Sequence, residues 1–594
     1  MTAAAPPFRF GACELDEARR SLTVHGRELK LQPLVFDLLC YLVRHRQRVV
    51  SKDELLEALW PRTIVVDNAL QRVVSLARNA LADAGLADAV RTYPRHGYRF
   101  CIDDLEASAQ TAPAPAAAAD DPVAAARAAC ERSDWPAACE AFAAADAQSP
   151  LRADDIEAWG RAAICGGQGP SAVAALERLV AERGGAGDPL TAARATLLLV
   201  QIRTDQRQGA IARGLLQRAS RYLDGQADPI ERGHYAWMSA RMALAGGDPE
   251  GALSHADDAV RIGRARHDAD VECLGLTYRG HGLMSRGDVA EGLAQHDEAA
   301  AMIRLGGVCP WAAGWSLCSI LYAARYRNDW LRAAQFAQAY EQWSHSARMP
   351  AFPGTCQLHR AAVLNVQGEL SQAAAEVRSA ATLLAQAAPW AEGDAYCVLG
   401  DIQLSVGDLE DAEASYRQAH ALGWDPQPGL ARLHLLTGRA VEAQRGLERA
   451  LDAPDFTLRE RRGQLLCLLV HAAVAAGDVP RAREAMRSLD AEARRLDNES
   501  LSAMHCAAQA ELAIVDGATK LAALKLRQAI RDWREVGSPG GEAEARLRLA
   551  ECLVGDGDAV GAEMELHVVQ TKLASAARAH SARVDALRAR LHPG

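Results

Sequence analysis

Six side chains between residues 68 and 79 could do hydrogen-bonding chemistry at a polyanion: Asn68, Gln71, Arg72, Ser75, Arg78 and Asn79. Their spacing sets them on one side of a helix, opposite Leu70, Val73 or Val74, Ala77 and Leu81, which form its apolar stripe. Guanidinium and carboxamide groups present paired donors and acceptors that match phosphates and base edges. Arg72 and Ser75 are the best placed to read bases. A second cationic set lies in "RTYPRHGYRF", 91–100. Strand alternation puts Tyr98 and Phe100 on one face as core side chains and Arg99 on the other. Arg95 and His96 then sit at the tip of a hairpin whose turn is centred on Gly97. Arg44, Arg46 and Arg48 make a further basic cluster suited to phosphate contact.

These groups need a scaffold. "FRF" and "CELDEARRSLTVHGRELKL" have the composition of short strands around Gly26. "QPLVFDLLCYLVRH" is an amphipathic helix with Pro33 in its first turn and Leu34, Leu38, Leu39 and Leu42 on its apolar side. Ser51 and Glu54 have the spacing of a capping box that opens a second helix, closed by Pro61. Asp67 or Asn68 then caps the third helix, which carries the polar face.

These segments in this order resemble the DNA-binding output domain of OmpR/PhoB-type response regulators, nearest to the receiver-less variant of the CadC, ToxR and HilA regulators. The resemblance runs over about residues 8–102, through "LQPLVFDLL", "RVVSKDELLEALW", "VSLARNAL" and "RHGYRF". It implies a winged helix whose third helix lies in the major groove of double-stranded DNA. It also implies that Arg95 and His96 enter the minor groove, that Thr92 touches phosphate, and that Arg78 is the arginine of a family motif. Ala77, Asn79 and Ala80 replace the leucine and lysines often found there, which implies modest affinity. In the family the loop equivalent to 61–66, here "PRTIVV", can touch RNA polymerase; packing inside the domain is the equal alternative. Only seven residues precede Phe8, so switching by a phosphorylated receiver is not expected.

The chain of 594 residues has a formal charge of −10. Residues 1–104 hold 15 Lys/Arg against 13 Asp/Glu, a balance of +2, so the acid belongs to the remainder. A polyanion should therefore meet the first hundred residues. Residues 105–122, "LEASAQTAPAPAAAADDP", have the composition of a linker. No apolar run is long enough to span a bilayer and no secretion signal is evident, so a cytoplasmic protein is expected, associated with the nucleoid when bound to DNA. The 14 cysteines show no C-x-x-C pair or ligand spacing, so neither metal nor cofactor is expected, and the thiols are expected as buried apolar groups.

From 123 onward a small residue recurs four positions after a turn: Asp134/Ala138, Gln168/Ala172, Gln208/Ala212, Asp248/Ala252, Asp288/Gly292, Asp329/Ala333, Glu369/Ala373, Asp408/Ala412, Arg439/Ala443, Asp478/Ala482, Ala518/Ala522 and Asp558/Ala562. The steps lie between 39 and 41 residues, except for 34 at the start and 31 before Arg439. Close approach of paired helices explains the small side chain. The pattern, best seen in "GDLEDAEASYRQAHALG" at 407–423, resembles tetratricopeptide repeats. The expected fold is mainly α: a winged helix (α+β) at 1–104, a linker at 105–122, and a long tetratricopeptide-like α-solenoid at 123–594.

Residues 311–343 concentrate eight of the chain's thirty aromatics. Trp311, Trp315, Tyr322 and Tyr326 share one helical face. Repeat core is the expected role; a small-molecule or peptide pocket with Arg325 or Arg327 beside it is the alternative. No phosphate-binding G-x-x-x-x-G-K-[ST] loop and no ordered catalytic constellation is present, so an enzyme is not expected. The expected function is sequence-specific transcription regulation, with the solenoid binding a protein, a small molecule or a second protomer. The alternative is a protein-interaction adaptor with a weak or vestigial DNA-binding domain.

Overall fold

The computed structural model describes residues 8–10, 13–16, 21–24, 27–29, 33–44, 49–52, 54–55, 70, 73–74, 76–78, 81, 86, 89–93, 97–101, 105–107 and 121–592, the last range without 167–169, 207, 347–353, 388–390, 453–457, 494–497, 575 and 577. The chain divides into two compact units, 1–118 and 119–594.

In the first unit, β1 (Phe8–Phe10), β2 (Cys13–Asp16), β3 (Ser21–Val24) and β4 (Arg27–Leu29) form a meander. β5 (Val90–Tyr93) and β6 (Gly97–Phe100) form a separate hairpin, and β7 (Leu105–Ala107) joins the meander. The larger sheet is antiparallel in the order β4-β3-β2-β1-β7. Alternation sends Cys13, Leu15 and Leu22 to one buried face. The helix Pro33–Arg44 packs Leu38, Leu39 and Leu42 into the same core at 0% exposure, with Leu34 at its rim.

β7 revises the expected domain boundary. Residues 105–107, assigned to the linker by composition, pair with β1 in the register Phe8↔Ala107, Arg9↔Glu106 and Phe10↔Leu105. Three residues are too few to show a period, but they satisfy the open edge of β1. The first helix of the second unit starts at Pro122, where Asp121 accepts the Val123 amide at 2.9 Å.

The second unit is a series of antiparallel helix pairs, twelve among the described residues, from Pro122–Glu131 and Trp135–Gln148 to Pro539–Gly555 and Ala559–Lys572; a last helix follows at Ser581–Leu591. Among the described residues, the turn residue of the repeat is the N-cap of the second helix. Asp134, Asp248, Asp478 and Asp558 each accept a backbone amide three residues on, at 3.4, 2.9, 3.2 and 2.8 Å. The small residue is one helical turn inside the cap, and its amide donates to the cap carbonyl, as Ala412 does to Asp408 at 3.0 Å. All eleven alanines of the pattern are at 0% exposure. Gly292, the one exception, is also buried; a Cβ there would lie 2.7 Å from the Gly280 carbonyl oxygen.

The short step before Arg439 has a local cause. "WDPQP" occupies 424–428, and the first helix of that pair is reduced to Gly429–Leu436, eight residues long. Prolines at 426 and 428 remove two amides from the ladder where other repeats have already begun their helix. Arginine–carboxylate pairs join neighbouring repeats: Arg194 to Glu157 and Glu231, Arg332 to Asp297, and Arg548 to Glu511.

The repeats also wind closely enough for non-neighbouring pairs to touch. The Asn498 side chain donates to the Arg327 carbonyl at 3.4 Å, 171 residues away. Gly368 faces Pro539 and Gly407 faces Arg578, each again 171 residues apart. Trp135 and Cys165 of the first two pairs pack with Leu317 and Tyr340.

Candidate nucleic-acid interface and repeat-domain cavity

On the third helix of the first unit, Leu70, Val73, Val74, Ala77 and Leu81 are all buried, so both valines belong to the apolar stripe. Val73 is the more accessible of the two, at 8% against 1%. Arg78 leaves the helix sideways. Its Nε donates to the Val90 carbonyl at 2.8 Å and one Nη to Thr92 Oγ1 at 2.7 Å. Two side chains expected to meet the ligand separately are thus joined to each other, and Arg78 fastens the third helix to β5. Thr92 is exposed. As an acceptor from Arg78, its hydroxyl keeps its own proton for a further partner.

The hairpin register sets its two faces. Val90 opposes Phe100 and Thr92 opposes Tyr98, while Arg91 opposes Arg99. Tyr98 and Phe100 are buried at 4% and 1% exposure, as alternation requires; Arg99 is half-buried and Arg91 exposed. Residue pattern alone does not single out Arg91. The signal that finds it is pairing: once Tyr93 is set opposite Gly97, position 91 must stand beside 99.

Gly97 is the first residue of β6, paired with Tyr93, rather than the centre of the turn. Its φ is +128°, and a Cβ would come within 1.9 Å of the Val50 carbonyl oxygen. That space lets Val50 and Tyr98 exchange backbone hydrogen bonds at 2.8 and 2.9 Å, tying the hairpin to the start of the second helix. There Ser51 Oγ accepts the Glu54 amide at 3.1 Å, as the capping box requires, and Glu54 accepts the Tyr41 hydroxyl at 2.9 Å. Asn68, Gln71, Arg72, Ser75, Asn79, Arg95, His96, Arg46, Arg48 and the loop 61–66 lie outside the described residues.

In the second unit the aromatic stripe of Pro310–Tyr326 divides between two neighbourhoods. Trp311 and Trp315 stack at 6.3 Å and both meet Trp237 edge-on, at 5.6 and 6.1 Å. The Trp315 indole donates to the Tyr278 hydroxyl at 3.3 Å, and the Arg241 guanidinium lies 4.6 Å from the Trp315 ring. Asp205 holds Arg241 at 2.8 Å. Tyr322 and Tyr326 sit 4.4 Å apart, with His359 5.6 Å from Tyr322. Helical spacing does not join Trp237 and Tyr278 to this stripe, because they belong to other repeats. They stand about one repeat length before Tyr278 and Trp315 respectively, so superposing the repeats finds them.

Tyr326 also borders a cavity of about 740 Å³ lined by the first helices of later repeats. Trp311, Trp315 and Tyr322 do not line it. The cavity wall mixes apolar with charged side chains, and the charged ones are largely self-paired. Asp394 binds Arg325 through two bonds of 2.7 and 2.8 Å. Glu511 binds Arg548 through two bonds of 2.6 Å, and Arg548 continues to Glu551 at 2.9 Å. His471 lies 3.6 Å from Glu511. Burial alone would push His471 down, but Cys467 and Glu511 draw it up to about 10. Burial would raise Glu511, yet His471 and Arg548 hold it at about 2. Glu544 opens onto the cavity, and His580, Arg583, His471 and Arg432 hold its carboxyl low against the effect of burial. Among the described residues no group of three or more His, Cys, Asp or Glu side chains could hold a metal ion, and no helix is long and apolar enough to cross a membrane.

Residues 26–100 match the family described as transcriptional regulatory protein, C terminal. The transcriptional activator CadC of Escherichia coli (strain K12) is 30% identical over 99 residues, 16% of this chain and 19% of CadC. The phosphate regulon transcriptional regulatory protein PhoB of Rhizobium meliloti (strain 1021) is 35% identical over 92 residues, 15% of this chain and 40% of PhoB. The chain thus spans less than half the length of these relatives. Among solved structures, a chain of the APC/C hetero-tetramer Cut9-Hcn1 gives a TM-score of 0.42 at 11% identity, over 79% of this chain and 88% of its own. A Rap protein complexed with competence and sporulation factor gives 0.36 at 15% identity, over 65% and 99%. Residues 26–100 thus match a transcriptional regulatory family and resemble the corresponding parts of CadC and PhoB, and the same chain carries a long α-helical repeat.

Proposed function

We propose that the chain is a sequence-specific transcription regulator, in which the first unit binds duplex DNA and the repeats receive the signal that controls it. The observation that carries this is the outer face of the β5–β6 hairpin, where Arg91 and Arg99 stand directly opposite each other. Two guanidinium groups so placed gather positive charge on one face of the hairpin. A phosphate backbone is attracted to such a face, and the attraction weakens with salt. On the other face of the same strand, the exposed Thr92 hydroxyl accepts from Arg78 and keeps its own proton for a further acceptor.

On this proposal Arg72 and Ser75 read bases, and Asn68, Gln71 and Asn79 flank them in the major groove. Arg95 and His96 enter the minor groove, Arg46 and Arg48 meet phosphate, and Arg78 braces the wing. The loop 61–66 is the proposed contact with RNA polymerase, and the protein works as a homodimer in the cytoplasm, on the nucleoid. The cavity beside Tyr326 takes the effector, a small molecule or a short peptide with both charge signs, because the wall offers carboxylates as well as guanidinium groups. Genome-wide mapping of bound DNA, with and without the repeats, tests both halves. Discrete sites whose occupancy changes when the repeats are removed support the proposal. Uniform or absent enrichment contradicts it and favours an adaptor.

A further inference from the structure

Half-buried Cys318 lies on the same stripe of Pro310–Tyr326 as Trp315 and Tyr322. Its sulfur is 3.3 Å from the Thr355 hydroxyl, and the next residue, Cys356, fully buried on the helix Thr355–Gln367, belongs to the same packed cluster as Cys318. The two cysteines are therefore packed together across neighbouring repeats.

A polar chain reaches this pair from the cavity. Asp394 holds Arg325 through two bonds, and Arg325 Nη1 donates to His359 Nδ1 at 3.1 Å. A guanidinium can only donate, so Nδ1 is the bare nitrogen and the ring proton sits on Nε2. His359 also hydrogen-bonds Cys318, and a donated proton there stabilises a thiolate. Contact with Cys356, then with His359 and Thr355, holds the Cys318 thiol below its usual range against burial. Burial, followed by contact with Cys318, pushes Cys356 up. The arrangement is asymmetric: Cys318 is half-buried and carries the contact to Thr355, while Cys356 is fully buried behind it.

We propose that Cys318 and Cys356 form a peroxide-oxidisable thiol pair, with Cys318 the attacking and Cys356 the resolving residue. The Cys318 thiolate attacks one oxygen of hydrogen peroxide, the O–O bond breaks, and hydroxide leaves and takes up a proton. The Cys356 thiol then attacks the sulfenic sulfur, the S–O bond breaks, and water leaves with the Cys356 proton. Two thiols lose two electrons and one peroxide becomes two waters. The new bond ties two repeats together where Trp135 and Cys165, from far earlier in the chain, pack on Leu317 and Tyr340. Oxidation would therefore be registered at a contact between distant repeats, whether or not the cavity holds an effector.

The test uses the full-length chain, reduced, freed of reductant and exposed to hydrogen peroxide before alkylation and peptide mapping. The expected result is a Cys318–Cys356 link, a loss of two hydrogens in intact mass, and alkylation of the other twelve cysteines. In Cys356→Ser the reaction stops at a sulfenic acid on Cys318 that dimedone captures. His359→Gln slows link formation about tenfold with an unchanged far-UV spectrum. Recovery of both cysteines alkylated in the unaltered chain, at a peroxide dose that oxidises other thiols of the same molecule, would overturn the proposal. So would oxidation of Cys356 that proceeds undiminished in Cys318→Ser.

Discussion

Arg78 joins two elements of the first unit through one side chain. Its two bonds to β5 run from the third helix to the wing, so its loss should be felt in stability before any ligand is added. Arg78→Ala is expected to destabilise the first unit by about 1.5–3 kcal/mol, the range for hydrogen bonds to a charged group. Thermal melting of the full chain, followed by hydrogen exchange in 90–93, measures it. A second residue-scale expectation concerns His471 and Glu511. His471 is raised in the folded state, so its contribution is complete below its ordinary value of 6.5 and is lost as pH climbs toward about 10. Glu511 is depressed, so its contribution is complete above 4.5 and is lost as pH falls toward about 2. Stability from this pair should hold between those two ordinary values and fall on the alkaline side. Urea midpoints across pH 6 to 10 should show the fall in the parent chain and a flatter profile in His471→Gln.

At the scale of elements, the repeat is a cap and a contact placed one helical turn apart. Ala412 is the simplest case, fully buried behind the Asp408 cap. Ala412→Leu should cost about 1–3 kcal/mol by overpacking. Because repeat stability is mainly local, faster hydrogen exchange should concentrate in 392–421 and its neighbours. Exposed Val441, changed to Ala, serves as the control that should alter little. The repeat was legible in the sequence because helix caps and tight packing both act at a fixed spacing, and both restrict residue type. The wing was legible for the same reason: Tyr98 and Phe100 alternate with Arg99, and period two decides which face is buried. β7 was not, since three residues carry no period. Nor was the Arg78–Thr92 bond, because arginine has the reach to turn from one side of a helix to a neighbouring strand.

At the scale of the molecule, the contacts between helices 171 residues apart had no sequence signal, because a winding angle is the sum of small rotations at every pair. Asn498 is the place to probe them. Its Oδ1 accepts the Leu501 amide at 2.9 Å as an N-cap, while its Nδ2 donates to Arg327. Asn498→Asp keeps the cap and removes the donor. It should leave helix content unchanged while hydrogen exchange rises in helices at both ends of the contact, around 327–329 and 498–501. Unchanged exchange there would mean that the repeats hold their winding without this bond.

The most direct measurement for the whole assignment is titration of the full chain onto duplex DNA across about 50 to 200 mM salt, with fragments recovered by genome-wide mapping. If the wing and third helix hold DNA through phosphate and base contacts, log affinity should fall linearly with log salt. Arg95→Ala should make that slope shallower by about one ion for each phosphate the arginine neutralises. Arg72→Ala should reduce preference among sequences by about 1–3 kcal/mol. Binding that is absent, or that is indifferent both to salt and to these two arginines, would contradict the assignment.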